Sequence, residues 1–334
     1  MRLFARSRIG RLLTVCAVCA MTAAAAGCGG GGKGSAGTTG EGGGNKLTPV
    51  RILDVAGIPS DYLIAGVRKG FFKRHGLDVT VKRASGGAAI IPAVVSGDAQ
   101  FGGSNMVSVL LAATKGLPIE IVGPGTFGPD SKQDGWSAIL VSHDSPIKKP
   151  KDLEGKTIAV NTLKNVASET VKASLDNLGV DISKVKFTEI GFPDMLAALD
   201  QGRVDAIFEI EPFVTAGLSA GDRRVVYPYY STQPGIEIGS YVAREDYARK
   251  HPDVVKAFQA GLADTSRFVA QHPDEFRKVM AAEDVSHAKD LTLPTWKDAV
   301  SLDALKKHSS LMVKFGLINK PPPLDKVVAP GAAD

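Results

Sequence analysis

From Asp152 to Phe213 the chain alternates two kinds of apolar pattern. KTIAV, VKFTEI and DAIFEI are short β-rich runs, and the stretches between them place apolar residues at helical spacing. This strand–helix–strand–helix–strand reading predicts a parallel sheet with crossover helices. Loops at the C-terminal ends of such strands converge on a crevice, where α/β folds bind ligands.

The preceding half carries a similar pattern. TPVRILDV (48–55) reads as an edge-to-core strand, followed by a loop, a helix and a second strand through GIPSDYLIAGVRKGFFKRHGLDVTVKRA. A Gly-rich turn, a helix and a short strand (AQFGG) come next, then the helix NMVSVLLAATKG and the buried strand PIEIVGPG. HGLDV followed by VVSGDAQF in this half echoes LGVDI followed by LDQGRVDAIF in the next. Gly76 and Gly179 are expected to cap helix ends, and Gly97 and Gly202 to end the following helix with positive φ. Two similar α/β lobes with a cleft between them are the expectation. After Phe213 come a short helix, a strand over RRVVYPYY and the strand GSYVARE. From Asp246 the pattern is helical. Pro252 and Pro273 each sit at a helix start followed by acids, and this block is expected to pack back onto the first lobe.

Charge adds little once the N-terminus is set aside. Four of the 40 Lys and Arg residues (Arg2, Arg6, Arg8, Arg11) lie in a basic stretch ahead of the apolar run LLTVCAVCAMTAAAA, leaving 36 basic residues against 35 acidic ones. That balance offers no case for nucleic acid. The basic-then-apolar pattern reads as an export signal over 1–27, too short to span a bilayer comfortably. It ends at AAGC, which resembles a bacterial lipobox with Ala25 where leucine is usual, and makes Cys28 the lipidated residue. The Gly/Ser-rich stretch 28–47 fits a flexible tether. Cys16, Cys19 and Cys28 are the only cysteines, so the globular part has no thiol for catalysis, disulfides or metal.

Catalytic motifs fail on their details. GCGGGGKGS mimics a phosphate loop but has Gly34 where Ser or Thr is needed, and GGSNM lacks the second glycine of a nucleophile elbow. The six histidines form no metal-binding pair, and His251 and His272 read as structural. No cofactor and no metal are expected.

AGVRKGFFKRHGLDV, DSPIKKPKDLEGKTIAV and FPDMLAALDQGRVDAIFEIEPF together resemble substrate-binding proteins of ABC transporters in the nitrate, sulfonate, taurine and thiamine-precursor group. The likeness covers roughly 48–320. It implies a periplasmic-binding-protein-like fold of type II, with 48–137 and 240–334 forming lobe 1 and 138–239 forming lobe 2. Hinges would fall near 138–142 and 226–242. The implied role is a lipid-anchored, monomeric, extracytoplasmic receptor that delivers a small solute to an ABC permease and its ATPase. Implied solutes are sulfonates, taurine-like zwitterions, nitrate, bicarbonate and pyrimidine-like heterocycles. Alternatives are an enzyme of the same fold, of the thiamine-pyrimidine or menaquinone-pathway type, or an extracellular ligand-sensing module.

In such a cleft the solute is expected at helix N-termini, whose free N–H groups suit anions and other acceptors. Ser60, Asp61 and Tyr62 open the first helix, with Asp61 equally suited to capping it. Ser85 and Gly86 form a second turn, and Gly103, Ser104 and Asn105 the favoured third, where Ser104 also fits a cap. Thr162 and Asn165 open the first helix of lobe 2, although Leu163 and Lys164 depart from the Gly-Ser-Thr-like turn of the family. Phe192 can reach the cleft or staple its helix. Tyr62, Phe127, Trp136 and Phe192 are candidates for a stacking face or for the core. Glu211 and Pro212 match an acid–proline pair for which a hinge or lobe-closing role is expected. Glu209 would place an acid near the cleft, favouring a solute with an amine or N–H donor.

Overall fold

A computed structural model of the protein describes residues 46–333. The expected export signal, Cys28, the phosphate-loop mimic and residues 28–45 of the expected tether lie outside the described residues.

The first lobe is built on a sheet of β1 (Thr48–Val55), β2 (Leu77–Ala84), β3 (Phe101–Asn105), β4 (Ile119–Pro124) and a late arrival, β11 (Gly239–Arg244). Their order is β2-β1-β3-β11-β4, with β1 parallel to β2 and β3, and β11 antiparallel to both neighbours. Helices α1 (Ile58–Arg68), α2 (Phe71–Arg74), α3 (Gly87–Ser96) and α4 (Met106–Thr114) make the connections. TPVRILDV is therefore an inner strand, because β2 covers the side expected to be an edge.

The second lobe repeats this plan. Strands β6 (Ser137–Val141), β7 (Thr157–Val160), β8 (Lys186–Glu189), β9 (Ala206–Ile210) and β10 (Arg223–Val226) lie in the order β10-β6-β9-β7-β8. β7 is parallel to β8 and β9, and β6 is antiparallel to β9 and β10. Helices α5 (Val166–Asn177), α6 (Phe192–Asp200), α7 (Phe213–Ser219) and α8 (Pro228–Thr232) flank it. β6 and β9 are buried along their whole length, as continuous apolar runs in central strands should be. The end of RRVVYPYY is helix rather than strand, since Pro228 has its φ preset for the first helical position.

The two sheets thus share one order, which is the physical content of the sequence echo. In each, three parallel strands from consecutive strand–helix units are followed by an antiparallel strand delivered as the chain crosses between lobes: β11 for the first, β6 for the second. Gly76, Gly97, Gly179 and Gly202 all adopt positive φ at the matching corners.

The crossings themselves are paired. Gly128 donates its N–H to Ile236 O at 2.7 Å, Ile238 to Thr126 O at 2.8 Å, and Gly235 to Pro129 O at 3.1 Å. The first crossing therefore occupies 125–136, because 138–142 falls largely in β6, and the second narrows to 233–238. β5 (Thr126–Phe127), at the start of the first crossing, also pairs with β12 (Thr295–Trp296).

The C-terminal helices α9 (Glu245–Lys250), α10 (Pro252–Gln271) and α11 (Pro273–Ala281) close the first lobe, while α12 (Leu302–Lys314) packs against α4 and α5, one from each lobe. On α10, Phe258 lies in the center of the packing, stacked on Phe101 at 4.1 Å and on Phe72 at 5.9 Å between ring centroids. Gly66 on α1 and Gly261 on α10 allow the close approach that this packing needs. A Cβ at Gly261 would lie 2.3 Å from the Phe72 ring.

Gly261→Ala should therefore lower stability. Overpacking costs about 1–3 kcal/mol, set against roughly 1 kcal/mol that alanine gains over glycine inside a helix. The urea midpoint is expected to fall; an unchanged or higher midpoint would show that Phe72 yields freely.

Candidate functional site

The cavity between the lobes is walled by strand ends from both sheets. Asp54 and Val55 close β1, Gly103, Ser104 and Asn105 close β3, Asn161 follows β7, and Ile210 ends β9. The crossings add Gly125, Thr126, Trp136 and Ile238, with Gly239, Ser240 and Tyr241 following on β11. The space measures about 570 Å³, its mouth included. Its walls are mostly apolar, with Phe192, Trp136, Tyr229 and Tyr241 contributing rings. Trp136 and Tyr229 lie 4.7 Å apart, and the Trp136 indole N–H is fixed by Phe127 O at 2.9 Å.

Three asparagines line the cavity, and each is already engaged. Asn105 caps α4 by accepting from Ser108 N, and the same oxygen accepts from Val166 N of the other lobe at 3.2 Å. Asn165 caps α5 by accepting from Ala167 N and Ser168 N. Its amide donates to Asn161, whose own amide donates across the lobes to Ser85 O at 3.3 Å. The expectation of free helix N–H groups awaiting an anion therefore fails at these two helices. Asparagine oxygens take Ser108 N of α4 and Val166, Ala167 and Ser168 N of α5, and Ile238 O takes Met106 N.

Two polar groups in the wall are different. Ser104 Oγ is buried without a hydrogen-bond partner among the described residues. Asp54 is 3% exposed, and one carboxylate oxygen accepts from Val55 N at 2.7 Å. Burial raises its pKa to about 7, against the pull of Val55 N–H and the Tyr241 hydroxyl; the Asp61 charge adds slightly to the rise. Among the described lining residues no Lys, Arg or His faces this carboxyl.

The residues expected at the site divide as follows. Gly103, Ser104, Asn105, Asn165 and Phe192 line the cavity. Ser60 and Asp61 do not: the Ser60 hydroxyl donates to Gly57 O, and Asp61 is paired with Arg83 at 2.7 Å. Tyr62 turns into the first lobe, bonded to Leu262 O and stacked on Trp296. Ser85, Gly86 and Thr162 lie outside the lining, as does Phe127, while Asn161 stands where Thr162 was expected. Glu209 is fully buried in β9 with neither carboxylate oxygen partnered among the described residues, and burial raises its pKa strongly. The acid that lines the cavity is Asp54. Its sequence signal was an acid at the C-terminal end of the first parallel strand, the end at which such sheets bind ligands.

Glu211 and Pro212 lie on neither crossing. The Glu211 carboxylate accepts from Thr215 N, from the Thr215 hydroxyl and, at 3.2 Å, from Thr292 N in the C-terminal segment. A Cβ at Gly57, in the loop after β1, would come within 3.1 Å of Glu211 O. The pair thus sits where the lobes touch.

Behind the cavity, the crossings are held by a buried network. Glu237, on the second crossing, accepts from Ser301 N at 2.6 Å and from the Ser240 hydroxyl at 2.8 Å. His308 on α12 contacts Glu237 O through Nε2 at 2.9 Å and the Glu169 carboxylate of α5 through Nδ1 at 2.6 Å. Both partners are acceptors, which favours the imidazolium. Burial alone would lower the His308 pKa, but the charge and hydrogen bond of Glu169, together with the Glu237 carbonyl and carboxylate, outweigh this and raise it. Burial pushes Glu237 up to about 7, with Ser301 N–H and Ser240 opposing.

A two-lobed α/β architecture with a cleft at its strand ends is the class these features define. The NMT1/THI5 like family model matches residues 61–276, and the chain belongs to that family. The taurine-binding periplasmic protein of Escherichia coli (strain K12) is 30% identical over 219 residues, 64% of this chain and 65% of that protein's own length, just short of two thirds. The putative aliphatic sulfonates-binding protein of the same strain is 23% identical over 199 residues, 58% of this chain and 59% of its own. In structure, the alkanesulfonate-binding protein SsuA from Xanthomonas axonopodis pv. citri, bound to MOPS, superposes with a TM-score of 0.70 at 18% identity, covering 86% of this chain and 98% of its own. That likeness shows the shared fold. Among the described residues no helix is long and apolar enough to cross a membrane.

The buried groups make stability depend on pH in a defined direction. Asp54 and Glu237 keep their protons to about pH 7 in the folded state, whereas the unfolded chain loses them near 3.8 and 4.5. The folded state therefore binds more protons between those values, so their contribution is present at low pH and lost as pH rises to 7. The raised His308 acts with the same sign. The melting temperature is expected to fall by several degrees between pH 5 and pH 8 at constant ionic strength. A rise over that interval would mean that both acids are ionised in the folded protein.

Proposed function

We propose that this protein is the extracytoplasmic solute-binding subunit of an ABC importer. It closes its two lobes on a small organic solute and presents the closed form to a permease driven by its ATPase. It works as a monomer, held at the membrane by a lipid on Cys28, and makes or breaks no bond. The observation that carries this reading is the cavity itself, walled by strand ends from both lobes and by both crossings.

Closure about paired crossings is a hinge motion, and a solute that touches both lobes favours the closed state by its differential affinity. Contacts such as Val166 N to Asn105 and Asn161 to Ser85 join the lobes and would open with them. The relatives' names support the class of solute: one is called taurine-binding, another sulfonates-binding. A non-catalytic role is supported by the relatives, which are named as binding proteins. The AAGC sequence at Ala25–Cys28 supports the anchor.

A thermal-shift screen of sulfonates, aminosulfonates, nitrate, bicarbonate and aminopyrimidines against the soluble domain tests the reading. A solute at a hundredfold its Kd adds about 2.7 kcal/mol to stability, a shift of several degrees. No shift with any of them at millimolar concentration would overturn the receptor role. In cells, Cys28→Ser is expected to move the protein out of the membrane fraction; unchanged fractionation would overturn the anchor.

A further inference from the structure

We propose that Asp54 is the specificity determinant of the cleft, and that it selects a solute carrying an amine or another N–H donor over the same solute without one. This rests on the solute-binding reading and narrows its ligand class.

Few polar groups of the cavity are left unsatisfied. Asn105, Asn161 and Asn165 spend their amides and carbonyls on helix caps and on each other, so they hold the site's shape and make little demand on a ligand. The Asp54 carboxyl remains, together with the hydroxyls of Ser104, Thr126 and Tyr229, which have no hydrogen-bond partner among the described residues. Ser104 is 3% exposed and lines the cavity with no partner among the described residues. It has a hydroxyl to donate to an acceptor on the solute. Asp54 has one oxygen engaged by Val55 N and otherwise meets only the Tyr241 hydroxyl.

The wall brings no cation to Asp54. Arg83, opposite Asp54 on the neighbouring strand β2, is committed to Asp61. Asp61 itself, the one other acid felt at Asp54, disfavours ionisation further. A purely anionic solute would thus meet an acid and no counter-charge, an arrangement that costs both groups. An ammonium or amino N–H facing Asp54 reverses the sign: it stabilises the carboxylate and forms a charge-assisted hydrogen bond out of water. With the anionic or acceptor end at the Ser104 hydroxyl, that group and the Asp54 carboxyl match the two ends of a small zwitterion or the donor and acceptor edges of an aminoheterocycle.

The backbone beneath Asp54 is shaped for it. A Cβ at Gly103 would lie 2.4 Å from the Asp54 carboxyl atoms, so only glycine on β3 lets the carboxyl occupy this position. Two adjacent parallel strands therefore cooperate to place one acid in the wall.

The test is calorimetric titration with matched pairs: taurine against ethanesulfonate, and 4-aminopyrimidine against pyrimidine. For the wild-type protein, the amino member of at least one pair is expected to bind tenfold to a hundredfold tighter than its partner. Asp54→Asn should bring that ratio to near one while retaining the Val55 N–H bond. Gly103→Ala, which displaces the carboxyl without removing it, should shrink the ratio as well. If in neither pair the amino member binds more tightly than its des-amino partner, or the preference survives in Asp54→Asn, the assignment is overturned and the receptor reading stands. If no member of either pair, nor any solute of the wider screen, binds at millimolar concentration, both are overturned.

Discussion

The pairing of the two interlobe crossings is the constraint on which the rest of this structure depends. Residues 125–129 and 235–238 are hydrogen-bonded side by side, so the lobes can move only about a ribbon whose ends are fixed. Each crossing also delivers the antiparallel strand of one sheet, β6 or β11, so neither sheet is complete without it. Glu237 and His308 tie that ribbon to α12 and, through Glu169, to α5 of the second lobe. Removing one member of such a buried network leaves a charge or a donor stranded, which costs more than the contact itself contributes.

The cavity next to this ribbon has an electrostatic character unlike that of a generic anion site. Helix N-termini from both lobes point toward it, yet Asn105 and Asn165 occupy the first turns of α4 and α5 with their own oxygens. What remains is an apolar and aromatic wall with one carboxyl and the unpartnered hydroxyls of Ser104, Thr126 and Tyr229 among the described residues. In such a wall, discrimination comes from leaving a buried polar group unpaired by the wrong solute, and that penalty exceeds any gain from added apolar contact.

Much of this architecture was legible in the amino-acid pattern because it rests on short-range physics. The alternation of KTIAV, VKFTEI and DAIFEI with helical spacing reports parallel strands and their crossovers, and glycines at 76, 97, 179 and 202 mark corners that need positive φ. The prolines at 252 and 273 likewise announce helix starts that the fold contains. Composition near the turns was a poorer guide to the cavity. Asp61 and Tyr62 look like ligand groups beside a turn, but Arg83 and Trp296, distant in sequence, claim them. Glu209 and Asp54 are both acids one residue before the end of a strand that reaches the cleft. Only the folded structure shows that Asp54 lines it while Glu209 is buried away from it. His308 reads as an ordinary helical histidine until Glu169 and Glu237 are brought to it from 139 and 71 residues away.

A crystal structure of the protein grown with a saturating aminoalkanesulfonate such as taurine is the most direct measurement of the central claim. It is expected to show the solute between the lobes, with its nitrogen about 2.7–3.2 Å from an Asp54 carboxylate oxygen and its sulfonate directed toward Ser104. A solute outside the cavity, or a sulfonate oxygen against Asp54, would contradict it.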